Sequence, residues 1–220
     1  MIKKLLSNSR YFFLPFLLFW TVGFIFILFS TKGDAVLFFN EQRSAPANLF
    51  FLLANMLAEW QFLLLLLAFM IWKSYGLTFV ALLSFVSGSI IVQFLKKVVF
   101  GWPRPAAFFE YEVSLNFLDG VAISYHNSFP SGHTTTAFLI FTVFALFSSS
   151  KWMQILFFLA ALSVGIARIY LLQHFAMDVL AGATLGVLMS ISVYLIVLKT
   201  NLFAFEKWKN NSLSRYVSKY

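Results

Sequence analysis

The chain has 220 residues, of which 61% are hydrophobic, 20% are aromatic and only 11% are charged. A water-soluble domain carries about 45–50% apolar and about 25% charged residues, so this composition predicts a membrane protein and excludes an ordinary soluble domain. The net charge is +8, but the basic residues lie between long apolar runs and do not indicate nucleic-acid binding. The chain contains no cysteine, which excludes disulfides, thiolate metal sites and a cysteine nucleophile.

Six apolar segments are long enough to be membrane-spanning helices. They cover residues 11–30, 57–73, 77–96, 130–148, 152–172 and 175–198. No small-residue cleavage site follows the first segment, so we expect it to be a retained helix and not a signal peptide. The predicted fold class is therefore an all-α polytopic membrane protein with six transmembrane helices. We expect a single domain over 1–220, with a basic cytoplasmic tail at 201–220.

Four polar residues interrupt the apolar sequence that follows the first predicted span. Glu41, Asn48, Asn55 and Glu59 are separated by 7, 7 and 4 positions, which places them on one stripe of a helix. Residues 36–55 therefore predict an amphipathic helix that lies at the membrane interface, with the second span beginning near Glu59. The alternative is one long tilted helix. Glu59 could line the entrance of the site or mark the membrane surface, and we favour the membrane surface.

The distribution of lysine and arginine predicts the orientation in the membrane. With the N-terminus in the cytoplasm, ten of these residues lie inside and six outside, which agrees with the positive-inside rule. Both termini are then cytoplasmic, and the long loop at 97–129 is outside. The small size and the lack of cysteine favour a bacterial inner membrane, with the outer face toward the periplasm.

Three polar clusters lie at the outer ends of the predicted helices. They are Lys97 with Arg104 and Pro105, then Pro130-Ser131-Gly132-His133, and then Arg168 with His174 and Asp178. Ionisable groups are costly at membrane depth, so their presence at one face predicts a functional site. Three cations together favour an anionic ligand, because guanidinium groups bind phosphate oxygens through two hydrogen bonds and lysine adds a point charge.

The residue types in these clusters suit phosphate chemistry. Ser131 is expected to cap a helix, and Gly132 lets the backbone N–H groups of that helix approach an anion. His174 and Asp178 are four residues apart, so on a helix they share a face. The carboxylate can then hold one ring nitrogen while the other acts as a nucleophile. His133 would be a second, independent acid–base group.

These residues resemble the three-part signature of the type 2 phosphatidic acid phosphatase superfamily, which includes glucose-6-phosphatase and the vanadium haloperoxidases. The motifs that carry the resemblance are Lys97-x6-Arg104-Pro105, Pro130-Ser131-Gly132-His133 and Arg168-x5-His174-x3-Asp178. They cover residues 97–178 in the expected order and spacing. One position departs from the family pattern, because Ala167 stands where a serine usually precedes the arginine.

The resemblance implies a role for each residue and no metal or cofactor. His174 is the implied nucleophile that forms a phosphohistidine, Asp178 orients it, and His133 is the general acid and then the base. The residues implied to hold the phosphoryl oxygens are Lys97, Arg104, Arg168, Ser131 and Gly132. The neighbouring Lys96 is expected to be an interfacial anchor.

The implied function is hydrolysis of a lipid phosphate or pyrophosphate at the outer face of the membrane. Candidate substrates are undecaprenyl pyrophosphate, phosphatidylglycerophosphate, phosphatidic acid and the phosphates of lipid A. A transporter or flippase for an anionic lipid is the alternative, since it would use the same cations, but it would not need the histidine–aspartate pair. The expected partners are the lipid substrate and the bilayer, and the oligomeric state is left open.

Overall fold

The computed structural model of the protein describes residues 2–111, 113–200, 202, 205 and 211–214. The helices are α1 (Ile2–Asn8), α2 (Arg10–Phe29), α3 (Asp34–Glu41), α4 (Ala45–Met56), α5 (Trp60–Lys73), α6 (Tyr75–Phe94), α7 (Pro105–Phe108), α8 (Gly132–Phe147), α9 (Lys151–Tyr170) and α10 (Ala176–Thr200), with a π-helical turn at Leu95–Phe100 after α6. No strand occurs among these described residues. Most of the predicted basic tail lies outside them.

Each of the six predicted apolar segments is helical, within a few residues of its predicted ends. The helices α2, α9 and α10, and α6 with the turns that follow it, are each long and apolar enough to cross a membrane. The helices α4 and α5 meet that criterion only as a pair, and α8 has only 16 residues. The described part of the chain therefore confirms an all-helical, multi-pass membrane protein with four or five spans, where the sequence predicted six.

Helix α8 forms the centre of the bundle, packed against α6, α9 and α10. Every residue from Ala137 to Ala145 is buried. Longer helices surround α8, so its polar first turn is also enclosed by protein, and Thr134 and Thr135 are almost completely buried. This enclosure buries Thr134 and Thr135, whereas Gly132 and His133 at the start of α8 are only partly buried.

Two glycines of α10 allow it to pack closely against α8. A Cβ atom at Gly182 would lie 2.6 Å from the carbonyl oxygen of Ser131, and one at Gly186 would lie 2.5 Å from that of Thr135. Real side chains do not approach a backbone oxygen so closely, so only glycine fits at both positions. The contact fixes the start of α10 against the start of α8.

The predicted amphipathic helix at 36–55 is wrong in its continuity, because the segment contains two helices. Chain direction changes between α3 and α4, and Ser44 caps α4 by accepting a hydrogen bond from the backbone N–H of Ala47 at 3.4 Å. Pro46 follows in the first turn, a position that suits its fixed φ angle and missing N–H. The alternative of one long tilted helix is also wrong, because α4 and α5 are bent by 53° at the break between them.

Candidate active site

A buried histidine–carboxylate pair lies where α9 gives way to α10. The Nδ1 atom of His174 is 3.3 Å from the Oδ2 atom of Asp178, and each side chain is only 1% exposed. The same oxygen accepts hydrogen bonds from the backbone N–H of Phe175 at 2.9 Å and from the Ser128 hydroxyl at 2.5 Å. Three neighbours therefore hold the carboxylate, and the pairing at Nδ1 leaves Nε2 of the imidazole for a substrate.

The end of α9 places the arginine of the third motif beside this pair. The carbonyl oxygen of Arg168 accepts hydrogen bonds from the backbone N–H groups of Gln173 at 3.0 Å and His174 at 3.1 Å. Leu172 makes the turn with φ of +58°, in the left-handed region. A non-glycine residue there costs about 1–3 kcal/mol, which the packing of its buried side chain must offset. The closed turn between Arg168 and His174 explains why the motif has five residues between them.

The second motif joins α8 to α10. Ser131 caps α8 as predicted, since its Oγ atom accepts hydrogen bonds from the Thr134 backbone N–H at 3.5 Å and the Thr134 hydroxyl at 2.8 Å. Its own backbone N–H donates to the carbonyl oxygen of Asp178 at 2.9 Å. Gly132 opens the helix, and a Cβ atom there would lie 3.9 Å from Nζ of Lys96. The start of α8 therefore borders a cation.

His133 contacts a carboxylate that the sequence assigned to the membrane surface. Its Nε2 atom is 3.1 Å from Oε1 of Glu59, and the two side chains are 34% and 38% exposed. Glu59 immediately precedes α5, at the bend after α4. The polar stripe of α4 thus faces the protein, because α4 lies against the last turns of α9. The spacing grouped Asn48 and Asn55 on one face, but it also included Glu41, which lies exposed at the end of α3, and it could not reveal what that face contacts.

Two arginines converge on the histidines from different elements. Arg168 is 6% exposed, and its Nη1 atom donates to Oδ1 of Asn55 at 2.6 Å. Its Nε atom is buried without a hydrogen-bond partner in the described structure. Arg104 donates from Nε to the carbonyl oxygen of His126 at 3.0 Å and from Nη1 to Oε1 of Gln173 at 3.1 Å. Both guanidinium groups are thereby fixed in place.

The lysine buried beside the cluster is Lys96, whereas the sequence motif had favoured Lys97. Lys96 is 7% exposed, and its ammonium group donates to the carbonyl oxygen of Asn127 at 3.1 Å. Lys97 is exposed and is not brought to the cluster. Neighbouring residues on a helix point about 100° apart, and the π-helical turn at Leu95–Phe100 changes which of the two faces inward. Spacing along the sequence does not reveal such a turn.

The electrostatic surroundings keep the nucleophile candidate neutral. Burial lowers the pKa of His174 well below its ordinary value of 6.5, and the positive charges of Arg168, Arg104 and Lys96, together with His133, lower it further. Both effects disfavour the imidazolium form. An unprotonated ring nitrogen is therefore available at neutral pH.

A cavity of about 430 Å³ opens beside the second histidine. Glu59, Lys96, Arg104 and His133 line its polar part, and residues of α5, α6 and α8 form an apolar wall. A second cavity of about 240 Å³ is almost wholly apolar and shares Trp60, Leu63 and Phe85 with the first. Polar groups and a long apolar surface are thus continuous.

Three other residues of the site were not predicted from sequence. Ser128 contacts Asp178, Gln173 holds Arg104, and Asn55 contacts Arg168. Only the position of Gln173, directly before the motif histidine, offered a signal. Among the described residues, no group of three or more His, Cys, Asp or Glu side chains is arranged to hold a metal ion.

The amino-acid sequence matches the model of a known protein family. Residues 77–202 match the model of the PAP2 superfamily. A lipid A 1-phosphatase of Porphyromonas gingivalis is 46% identical over 72 residues, which are 32% of this chain and 16% of that protein. The chain spans between 16% and 55% of the lengths of the curated relatives it matches.

Two solved structures share the fold. The crystal structure of Aquifex aeolicus LpxE has a TM-score of 0.67 and 29% identity, and the match covers 76% of this chain and 96% of that one. A PAP2-type phosphatidylglycerolphosphate phosphatase from Bacillus subtilis has a TM-score of 0.62 and 26% identity, with 88% and 99% covered. Because the family model matches more than half of the chain and includes all three motifs, the protein belongs to the PAP2 superfamily.

Proposed function

We propose that this protein is a membrane lipid phosphatase that acts through a phosphohistidine on His174. The observation that carries the proposal is the buried His174–Asp178 pair, which lies among cationic side chains and has a second histidine close by. A binding or transport protein for anions needs the cations but has no use for an oriented, neutral imidazole. Most of the relatives are named as lipid phosphatases or as a lipid diphosphatase, which supports the same activity, whereas one relative is named a bacitracin transport permease protein.

The first step is attack on phosphorus by Nε2 of His174. The N–P bond forms as the ester P–O bond breaks, and His133 gives its proton to the departing oxygen. In the second step His133 takes a proton from water, whose oxygen attacks the phosphohistidine. The N–P bond then breaks, inorganic phosphate leaves, and both histidines return to their starting states.

The cations act on the charge that develops on the phosphoryl oxygens. We assign this role to Lys96, Arg104 and Arg168, and to the backbone N–H groups at the start of α8 near Gly132. The unpartnered Nε atom of Arg168 is one donor that is ready to bind an anion. Ser131 contributes by capping that helix, since its hydroxyl is occupied by Thr134.

The surroundings of the site suit a lipid substrate. The polar cavity continues into an apolar one between α5 and α6, so a headgroup phosphate and its hydrocarbon chain would find matching surfaces. The outward face of α2 is also strongly apolar, with Leu14, Leu18 and Leu28 each more than 60% exposed. Such a surface suits contact with lipid.

We further propose that the chain crosses the membrane six times, with α5 and α8 completing the four longer spans. The excess of lysine and arginine on the other side then directs the site outward, to the periplasmic face of a bacterial inner membrane. The candidate substrates remain undecaprenyl pyrophosphate, phosphatidylglycerophosphate, phosphatidic acid and lipid A phosphates. A phosphate at headgroup level is common to all four.

The test is phosphate release by the purified protein from each of these lipids, with and without a chelator. We expect release from at least one lipid, unchanged by the chelator and abolished in His174→Ala. Absence of release from every lipid would instead favour the transporter alternative. Release that continues in His174→Ala would contradict the assigned nucleophile, and loss on chelation would contradict metal independence.

A further inference from the structure

The second histidine of the site has a carboxylate partner of its own. Oε1 of Glu59 lies 3.1 Å from Nε2 of His133. The two residues are 74 positions apart in the chain and meet only because α4 and α5 bend at Leu57–Glu59. A straight helix through this region would carry Glu59 elsewhere. The bend therefore places the carboxylate of Glu59 next to the imidazole of His133.

Glu59 is itself held in position from the other side. Nδ2 of Asn55 donates to the same Oε1 atom at 2.9 Å, and Oδ1 of Asn55 accepts from Nη1 of Arg168 at 2.6 Å. A continuous chain of hydrogen bonds thus joins the buried arginine to His133 through α4. Because Asn55 is fixed by a guanidinium group, its amide has one orientation, with Nδ2 toward the carboxylate. The carboxylate is oriented before any substrate arrives.

The charges around His133 indicate what the Glu59 carboxylate does in the reaction. Lys96 and Arg104 line the same cavity and would repel a protonated imidazole. A proton donor must nevertheless carry its proton when the ester bond breaks. Glu59 supplies the opposing negative charge, and by occupying Nε2 it fixes the ring so that Nδ1 is left for proton exchange with the substrate.

We propose that Glu59 is a positioning residue that orients His133 and favours its protonated form, so that His133 can act as the proton donor. Asp178 orients His174 as the nucleophile in a similar way. The site then contains two histidine–carboxylate pairs with separate tasks. This inference rests on the proposed function, specifically on the role of His133 in protonating the leaving oxygen. Asn55 is the link that fixes Glu59 and connects it to the phosphate-binding Arg168.

The test compares substrates that differ in their need for a proton. Glu59→Gln keeps the shape of the side chain and removes its charge, and kcat is measured on an alkyl lipid phosphate and on nitrophenyl phosphate. We expect a loss of about 10- to 100-fold on the alkyl ester, comparable to the loss when a carboxylate that orients a metal-ligating histidine is removed. The loss on nitrophenyl phosphate should be less than about threefold, because nitrophenolate departs without a proton. Glu41→Gln, an exposed glutamate at the end of α3, is the matched control and should change neither rate.

A double-mutant cycle with His133→Ala separates action through the histidine from a general structural effect. In the His133→Ala background, Glu59→Gln should cause no further loss. An equal loss on both substrates, no loss on either, or an undiminished loss without His133 would overturn the inference while leaving the phosphatase assignment intact. If His133→Ala itself shows no dependence on the leaving group, the proposed proton donor is wrong, and that result is recognised separately.

A second variant distinguishes loss of the Glu59 charge from a folding defect in Glu59→Gln. Glu59→Asp keeps the charge but withdraws it from Nε2 by one methylene, so we expect the same selective loss on the alkyl ester in a smaller amount. A Glu59→Asp protein that elutes as the wild type in detergent and loses the same factor on both esters would also overturn the inference.

Discussion

Two adjacent lysines differ in their surroundings at the end of α6, although they have the same chemistry. The ammonium group of Lys96 is buried beside Gly132, whereas Lys97 is exposed. The family spacing selects Lys97, and the geometry selects Lys96. The two assignments make opposite predictions, because Lys96 is the lysine whose ammonium group lies next to the start of α8, where we propose that the phosphoryl group binds.

We expect Lys96→Ala to lower kcat/KM about 10- to 100-fold, which corresponds to about 1.5–3 kcal/mol for a hydrogen bond to a charged group. The matched variant, Lys97→Ala, should change kcat/KM by less than about twofold. Both are measured by phosphate release from the preferred lipid in the same detergent. The reverse order of effects would restore the assignment made from the sequence motif.

The lowered pKa of His174 predicts how activity depends on pH. Protonation removes the nucleophile, so kcat/KM should fall only when the pH drops below the lowered pKa, well under 6.5. Arg104 is one of the charges that lower this pKa, so Arg104→Gln should move the acid limb of the profile to higher pH. The profiles of both proteins are compared on one substrate, whose own ionisation cancels. An acid limb that stays in place or moves to lower pH would contradict the electrostatic account.

Sequence reasoning located the candidate catalytic residues better than the residues that support them. His174, Asp178 and Ser131 occur where spacing and capping rules placed them, because their partners are near in sequence or close to a helix start. For Glu59 the membrane surface was favoured over the site entrance, and Ser128 was missed, because their partners are 74 and 50 positions away. Only the folded bundle brings such residues together.

At the level of the elements, the lengths of the apolar segments predicted each long helix, but the break after α3 was missed. Its signal was present, since Ser44 followed by Pro46 is typical of a helix start. The continuous apolar sequence around them concealed that signal. The π-helical turn at Leu95–Phe100 had no comparable signal in the sequence.

The close contact between α8 and α10 can be tested at one residue. Gly186→Ala places a methyl group 2.5 Å from the carbonyl oxygen of Thr135, so one helix must shift. We expect destabilisation of about 1–3 kcal/mol, the usual cost of overpacking, seen as a lower thermal midpoint in detergent. Gly23→Ala is the control, because its nearest neighbour is a Leu180 methyl group at 3.2 Å that can rotate away. Equal midpoints for the two variants would show that the contact tolerates a side chain.

For the whole molecule, the proposed orientation in the membrane depends on the proposed six crossings. The absence of cysteine from the chain allows single cysteines to report their side of the membrane. Ser124→Cys should react with an impermeant maleimide from the periplasmic side, and Ser149→Cys only after the membrane is opened. The opposite pattern would place the active site in the cytoplasm, and equal access for both would contradict the number of spans.

The central claim is that turnover passes through a phosphorylated His174, and trapping of the phosphoenzyme tests it most directly. Purified protein is mixed with a lipid substrate that carries a radioactive phosphate and is quenched in alkali, in which phosphohistidine is retained, during the first turnover. The account predicts a labelled protein whose label is lost in acid, and no label on His174→Ala. Turnover without any labelled protein, or label that persists in His174→Ala, would contradict it.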